Sequence, residues 1–115
     1  MDIRLVSGKK IVARNVVIYE NLLMKFFGLR FSSPLKDEAV VFVNKKESMI
    51  NSVVDMFFVG FPLDILWLDK NMKVVDKAVM KPFQIKKPKE KAMYIVELKK
   101  GKANNLNIGD KIKIY

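Results

Sequence analysis

The chain has 115 residues, of which 50% are hydrophobic, and a formal net charge of +10 from 22 basic and 12 acidic side chains. This length and apolar content predict a single globular domain, residues 1–115, whose core needs no disulfide. Cysteine and histidine are both absent, which excludes disulfides, thiolate nucleophiles and imidazole-based catalytic or zinc sites. We therefore expect no metal and no cofactor, and we favour a protein that is not an enzyme.

A signal peptide has a basic head followed by an apolar core. The beginning of the chain, through Leu22, lacks this pattern. No segment approaches the roughly 20 uninterrupted apolar residues that a membrane helix needs. The sequence therefore predicts a cytoplasmic protein with no membrane partner.

The first third of the chain predicts two short strands and one main helix. "IRLVSGKKIVAR" indicates strands on either side of a turn at Gly8. "YENLLMKFFGL", residues 19–29, has apolar residues at helical spacing and a glycine stop at Gly28. "SSPLKDE" is typical of a loop.

The middle of the chain predicts four strands. "AVVFV", residues 39–43, is β-branched on both faces, and "NKKESMINS" follows as a polar connector. "VVDMFFV" and "DILWLD" are the next strands, separated by a segment that contains Pro62. "DKNMK" predicts a turn, and "KVVDKAVM" predicts the returning strand.

The last third predicts a loop, two strands and a short helical turn. "KPFQIKKPKEK" is typical of a loop, and "MYIVEL", residues 93–98, of a strand. "KKGKANNLNIGD" indicates a short helical turn and then Gly109 at positive φ. "KIKIY" alternates, so Ile112 and Ile114 are expected to point inward.

These elements predict a mostly β fold with minor α content. Short turns between neighbouring strands favour antiparallel pairing. The expected architecture is a compact antiparallel sandwich or partly closed barrel, with the main helix over one end and the short helical turn near the C-terminus.

Asp64 stands out because it follows Pro62 and begins the apolar strand "DILWLD". Ile65 and Trp67 alternate with Leu66 and Leu68, so both faces of this strand are expected to be covered. Pro62 suits a strand entrance. The carboxylate then accepts backbone N–H bonds as a structural anchor, or it forms the polar point of a binding site.

Four segments resemble an uncharacterised family, the domain of unknown function 192 (uncharacterised protein family 0127). They are "LLMKFFGLRF", "FFVGFPLDILWLDKNMKVV", "VMKPF" and "MYIVELKKGKANNLNIGDKIKI", and the likeness spans residues 11–114. The resemblance implies a compact β-rich domain and no assigned reaction. Relatives often have histidine at the position of Asp55, and whether Asp55 takes over the role of that imidazole stays open.

The favoured function is a small, non-catalytic binding or accessory domain. We expect its pocket near residues 61–64 and 80–83, with a small polar or anionic ligand as its partner. Each candidate also has a structural interpretation without a ligand. Asp64 would be a buried structural acid, Lys81 a solvated lysine, and the aromatic residues part of the core. The candidate ligand-binding residues are Asp64, Lys81, Asp55, Phe61 and Phe58.

Two alternatives remain. Lys86, Lys87, Lys89 and Lys91 could bind nucleic acid or another polyanion, although the chain has few arginines and only Phe83 lies among these lysines. The weaker alternative is a carboxylate-dependent hydrolase or transferase, which would need Asp55 and Asp64 close together in an open cleft.

Overall fold

The computed structural model describes residues 4–20, 35–57 and 59–115. In chain order, these residues form strands β1 (Leu5–Ser7), β2 (Lys10–Ala13), β3 (Val16–Tyr19) and β4 (Ala39–Ser48), a 3-10 helix (Ile50–Ser52), and strands β5 (Val54–Asp55), β6 (Leu63–Leu68), β7 (Val74–Met80), β8 (Ile85–Lys86), β9 (Ala92–Lys99) and β10 (Ile112–Ile114).

The strands form three sheets. The central sheet has five strands in the order β3-β4-β9-β6-β7, and two smaller sheets have the orders β10-β1-β2 and β5-β8. Backbone hydrogen bonds between residues 72–74 and 109–112 connect the start of β7 to the start of β10. The predicted mostly β class is confirmed, and the architecture is a sandwich that is partly closed along one side.

Strand β6 separates the two hydrophobic clusters of the core. All six of its residues are buried. Leu66 and Leu68 pack in the cluster that contains residues of β1, β2 and β10. Leu63, Ile65 and Trp67 pack in the cluster that contains Val54 and Met56. The three-stranded sheet and the β5-β8 sheet therefore cover opposite faces of the central sheet, and the prediction of a doubly covered central strand is confirmed.

A buried polar network attaches the 3-10 helix to the central sheet. The indole N–H of Trp67 donates to the backbone oxygen of Ser52 at 2.7 Å. The amide of Asn44 donates to the Ser52 hydroxyl at 2.9 Å and to the Ala92 carbonyl at 3.1 Å. Because these groups are shielded from water, each bond removes a desolvation cost that would otherwise oppose folding.

Several predicted details agree with the structure. The turn between β1 and β2 contains Gly8 at φ +60°, and Gly109 has φ +96°. Ile112 is fully buried and Ile114 packs against the same cluster.

The prediction of antiparallel pairing is wrong at one position, because β3 and β4 pair in parallel. Residues 20–38 lie between these strands, which is long enough for the crossover that a parallel pair needs. The other paired strands are antiparallel.

The lengths of other predicted elements also need correction. The predicted connector "NKKESMINS" continues β4 as far as Ser48, because its Asn44 faces the buried polar network rather than solvent. The predicted strand "VVDMFFV" is reduced to Val54–Asp55, and β8 lies within the predicted loop of residues 81–91. Successive hydrogen-bonded turns replace the predicted helical turn after β9.

The predicted main helix, residues 19–29, falls mostly outside the described residues, and Tyr19 is the last residue of β3. Within the described ranges, no helix has the length and apolar character needed to cross a membrane.

Trp67→Phe tests the buried network. This substitution removes the indole N–H donor, so the buried carbonyl oxygen of Ser52 loses this hydrogen bond. We expect the free energy of unfolding, measured by urea denaturation, to fall by about 2–4 kcal/mol. The exposed Ile108→Ala change should alter it by less than about 0.5 kcal/mol. Equal stability of Trp67→Phe and the unsubstituted protein would contradict this role.

Candidate functional site

Asp64 is a buried structural acid at the entrance of β6. Its side chain is 2% exposed, and Oδ2 accepts hydrogen bonds from the backbone N–H of Gly101 at 2.9 Å and of Ala103 at 2.8 Å. Gly101 has φ +100°, a conformation that glycine adopts without a steric penalty. The carboxylate thus fixes the turn after β9 against the central sheet.

Lys77 holds the same turn from its other side. Its ammonium group donates to the carbonyl oxygens of Ala103 at 3.3 Å and Leu106 at 2.6 Å. Lys77 lies opposite Leu66 on the neighbouring strand, and this places it on the same face of the sheet as Asp64. A carboxylate therefore binds the N–H groups of the turn, and an ammonium group binds its carbonyl groups.

The second oxygen of Asp64, Oδ1, is buried and has no hydrogen-bond partner. A cavity of about 260 Å³ adjoins this carboxylate, with a lining that combines polar and small apolar side chains. Its lining residues are Asp64, Lys77, Ala78, Val79, Ala103 and Asn104. This cavity contains one of the predicted ligand-binding residues, Asp64.

The other predicted ligand-binding residues do not line this cavity. Lys81 is exposed, and its backbone N–H donates to the Gln84 side chain at 2.8 Å. Phe61 lies instead in a separate depression of about 180 Å³ with Pro62 and Leu63. Phe58 lies outside the described residues.

Asp55 and Asp64 are not brought together. Asp55 lies in β5, and the residues on either side of it, Val54 and Met56, pack on the Trp67 face of the central sheet. Asp64 belongs to the opposite face by strand alternation, and it bonds to Gly101 and Ala103 there. The central sheet therefore lies between the two carboxylates that the weaker enzymatic hypothesis requires.

A second feature is an exposed apolar surface on β5 and β8. Val54 and Met56 point into the core, so the residues that alternate with them point outward. Asp55 lies directly opposite Ile85, and the Phe57 and Phe83 rings make an edge contact with centroids 6.2 Å apart. We call this surface the outer face; it comprises Val53, Asp55, Phe57, Phe83, Ile85 and Lys87.

The backbone at Phe83 is strained. Its φ is +70°, and the Gln84 N–H donates to the Lys81 carbonyl at 3.2 Å across Pro82. These features are those of a type II turn, in which glycine is the usual third residue. The Phe83 N–H donates to the Met56 carbonyl, and the Met56 N–H donates to the Gln84 carbonyl. This pattern is a β-bulge that also favours glycine at the position of Phe83. A phenylalanine here costs stability of about 1 kcal/mol or more.

Basic side chains follow the outer face along the chain. Lys81 starts the turn, and the segment after β8 adds more lysines with Glu90 as its one acid. Within the described residues, none of these lysine ammonium groups forms an ion pair. The segment's lysines are Lys86, Lys87, Lys89 and Lys91.

Sequence reasoning missed Phe57, Ile85 and Lys77 as site residues. Phe57 belongs to a segment whose apolar residues predict core positions. Its contact with Phe83 depends on the pairing of β5 with β8, and the sequence predicts a loop where β8 lies. The one available signal was Phe83 itself, a large apolar residue that follows a proline among polar neighbours.

Comparisons with known proteins agree with the resemblance. The profile of the family domain of unknown function 192, described as "Uncharacterized ACR", matches residues 4–114. A UPF0127 protein from Pyrococcus horikoshii is 36% identical over 102 residues, which cover 87% of each chain.

Two solved structures share the fold. One, from Sinorhizobium meliloti and described as a candidate transcription regulator, has a TM-score of 0.84 at 18% identity and covers 98% of this chain and 92% of that chain. Another, a protein of unknown function from Novosphingobium aromaticivorans, has a TM-score of 0.80 at 19% identity and covers 97% of this chain and 83% of that chain. At these identities the likeness concerns the fold alone.

Asp64→Ala tests the anchoring of the turn. It leaves the N–H groups of Gly101 and Ala103 without their acceptor, so we expect the free energy of unfolding to fall by about 2–4 kcal/mol in urea denaturation. Asp64→Asn keeps one acceptor oxygen and should cost about half as much. The control is Asp37→Ala, an exposed acid whose ion pairs should contribute less than about 1 kcal/mol. Equal losses for Asp64→Ala and Asp37→Ala would contradict the anchor.

Proposed function

Because the chain belongs to the domain of unknown function 192 family, which has no assigned reaction, we propose a function from its surface. We propose that it is a small, non-catalytic binding domain whose outer face holds an anionic molecule that carries a flat ring. The observation that supports this most strongly is the exposed Phe57–Phe83 pair beside the lysine-rich segment.

The outer face has the apolar exposure of a binding surface. Its four apolar side chains remain 42% (Val53), 41% (Phe57), 69% (Phe83) and 59% (Ile85) exposed. Single exposed apolar residues are ordinary, whereas a contiguous group of large ones marks a contact surface. Here Ile85 lies in β8, Val53 directly precedes β5, and the Phe57 and Phe83 rings contact each other beside this strand pair.

The strain at Phe83 supports the same proposal. A mostly exposed ring adds little to the core, and the turn would be more stable with glycine at this position. Because strained residues cluster at functional sites, we infer that Phe83 makes a contact outside the molecule.

The charge of this region supports an anionic ligand. Lys87 continues the outer face next to Ile85, and Lys81 begins the turn that presents Phe83. Asp55 lies between the apolar residues, and its carboxylate accepts the Phe57 N–H at 3.3 Å. The ligand would thus combine a ring with negative charge.

Binding without catalysis is the simplest function for these groups. The chain has no histidine or cysteine to move protons or attack a substrate. Asp55 and Asp64 lie on opposite faces of the central sheet, so they supply no carboxylate pair. We also propose the cytoplasm as the place of binding, since a fold without cysteine has no need of an oxidising compartment.

Phe83→Gly separates binding from stability. Glycine relieves the positive φ, so we expect the free energy of unfolding to rise by about 1 kcal/mol. The probe is anilinonaphthalene sulfonate, an aromatic anion whose fluorescence rises on apolar surfaces. We expect saturable binding to the unsubstituted protein and loss of most of this binding in Phe83→Gly.

The matched control is Ile108→Ala, which removes another exposed apolar side chain and should leave probe binding unchanged. Circular dichroism establishes that each variant is folded before titration. Unchanged probe affinity in both Phe83→Gly and Phe57→Ala would show that the outer face is not the binding surface.

A second candidate site is the cavity beside Asp64. The unpartnered Oδ1 favours a small polar molecule that donates to this oxygen and accepts from the ammonium group of Lys77. It ranks second because Oδ1 is shielded from solvent and because Asp64 and Lys77 already hold the turn.

A thermal-shift screen with small polyols and primary amides tests the cavity. A compound that binds the native state raises Tm by mass action. We expect Asn104→Trp, which adds bulk at the cavity lining, to abolish that rise and Phe83→Gly to keep it. A rise of equal size in Asn104→Trp, or no rise with any compound, contradicts this candidate.

A further inference from the structure

We infer that the ligand class of the outer face is single-stranded nucleic acid, with bases on the two phenylalanine rings and phosphates near the lysines. This inference rests on the proposed function and deepens it. Neither the aromatic pair nor the lysine-rich segment points to this class alone, and both adjoin the small β5-β8 sheet.

The Phe83 ring is exposed enough for a base to stack on it. Phe57 and Phe83 meet edge to face, with 66° between their planes. Phe83 makes this contact while remaining 69% exposed, so most of its ring surface is available to a base. Stacking on aromatic side chains is tolerant of sequence because every base has a flat π face.

Exposed lysines follow the outer face along the chain, where a phosphate backbone that passes the rings could contact them. Ile85 and Lys86 form β8, and Lys87 follows on the side of the outer face. Lys87 and Lys89 are exposed, and Lys91 extends the positive charge toward β9. A phosphate chain with bases on the rings would neutralise these ammonium groups and release counterions.

The surface fits a single strand better than a duplex. Paired bases expose only their edges, so a duplex offers no base face to Phe57 or Phe83. The basic residues of this segment are all lysines, which contact phosphates as point charges and do not form the bidentate contacts by which arginine identifies guanine.

Fluorescence anisotropy with labelled oligonucleotides tests this inference. The probe is a mixed-sequence single strand of about 12 nucleotides, within the range of site sizes for such surfaces. We expect tighter binding of this strand than of the duplex of equal length or of heparin, a polyanion without rings. The logarithm of affinity should fall linearly with the logarithm of salt concentration, by about 0.7 for each phosphate contacted.

Three variants locate the contact. Phe83→Gly should weaken binding by about 5- to 150-fold, the loss of one stacked base. Lys87→Glu should weaken binding by about 5- to 10-fold, because it changes the charge near the phosphate backbone by two units. Lys9→Glu makes the same charge change in the turn between β1 and β2, on the opposite side of the central sheet, and should have little effect.

Equal binding of strand, duplex and heparin, with equal losses in Lys87→Glu and Lys9→Glu, would overturn the inference in favour of a general positive field. The absence of oligonucleotide binding would also overturn it. If anilinonaphthalene sulfonate still bound the outer face in that case, the proposed function would stand with another ligand class. If neither probe bound there, both proposals would fail.

Discussion

The structure depends on one constraint, the burial of β6 on both of its faces. Because successive side chains of a strand point to opposite sides, this strand requires two covering layers, and the layers cannot share residues. The β10-β1-β2 sheet covers one face, and the β5-β8 sheet with the 3-10 helix covers the other. Asp64 interrupts the apolar pattern, and the turn after β9 supplies the hydrogen bonds that make its burial tolerable.

This separation assigns different roles to the two sides of the molecule. On the Asp64 side, a carboxylate and the ammonium group of Lys77 are occupied in holding a turn, which leaves one shielded oxygen for other uses. On the other side, the β5-β8 sheet buries Val54 and Met56 and turns aromatic and basic side chains outward. Both sides stabilise the fold, and the second side also presents exposed aromatic and basic side chains.

The sequence was informative where one strong physical requirement acted locally. Apolar residues on both faces of "DILWLD" predicted β6, and Pro62 before Asp64 predicted a carboxylate that bonds to backbone N–H groups. The parallel pairing of β3 with β4 and the contact of Phe57 with Phe83 depend on residues far apart in the chain. Hydrophobic patterns do not specify such pairings, so the sequence does not predict the outer face.

The most direct test of this account is a titration with anilinonaphthalene sulfonate followed by amide nitrogen–proton correlation spectra. We expect the amide signals of Phe57, Phe83 and Ile85 to shift in a saturable way, while those of Gly101 and Ala103 remain in place. Shifts at Gly101 and Ala103 with none at Phe83 would contradict it, because the binding surface would then be the Asp64 side of the central sheet.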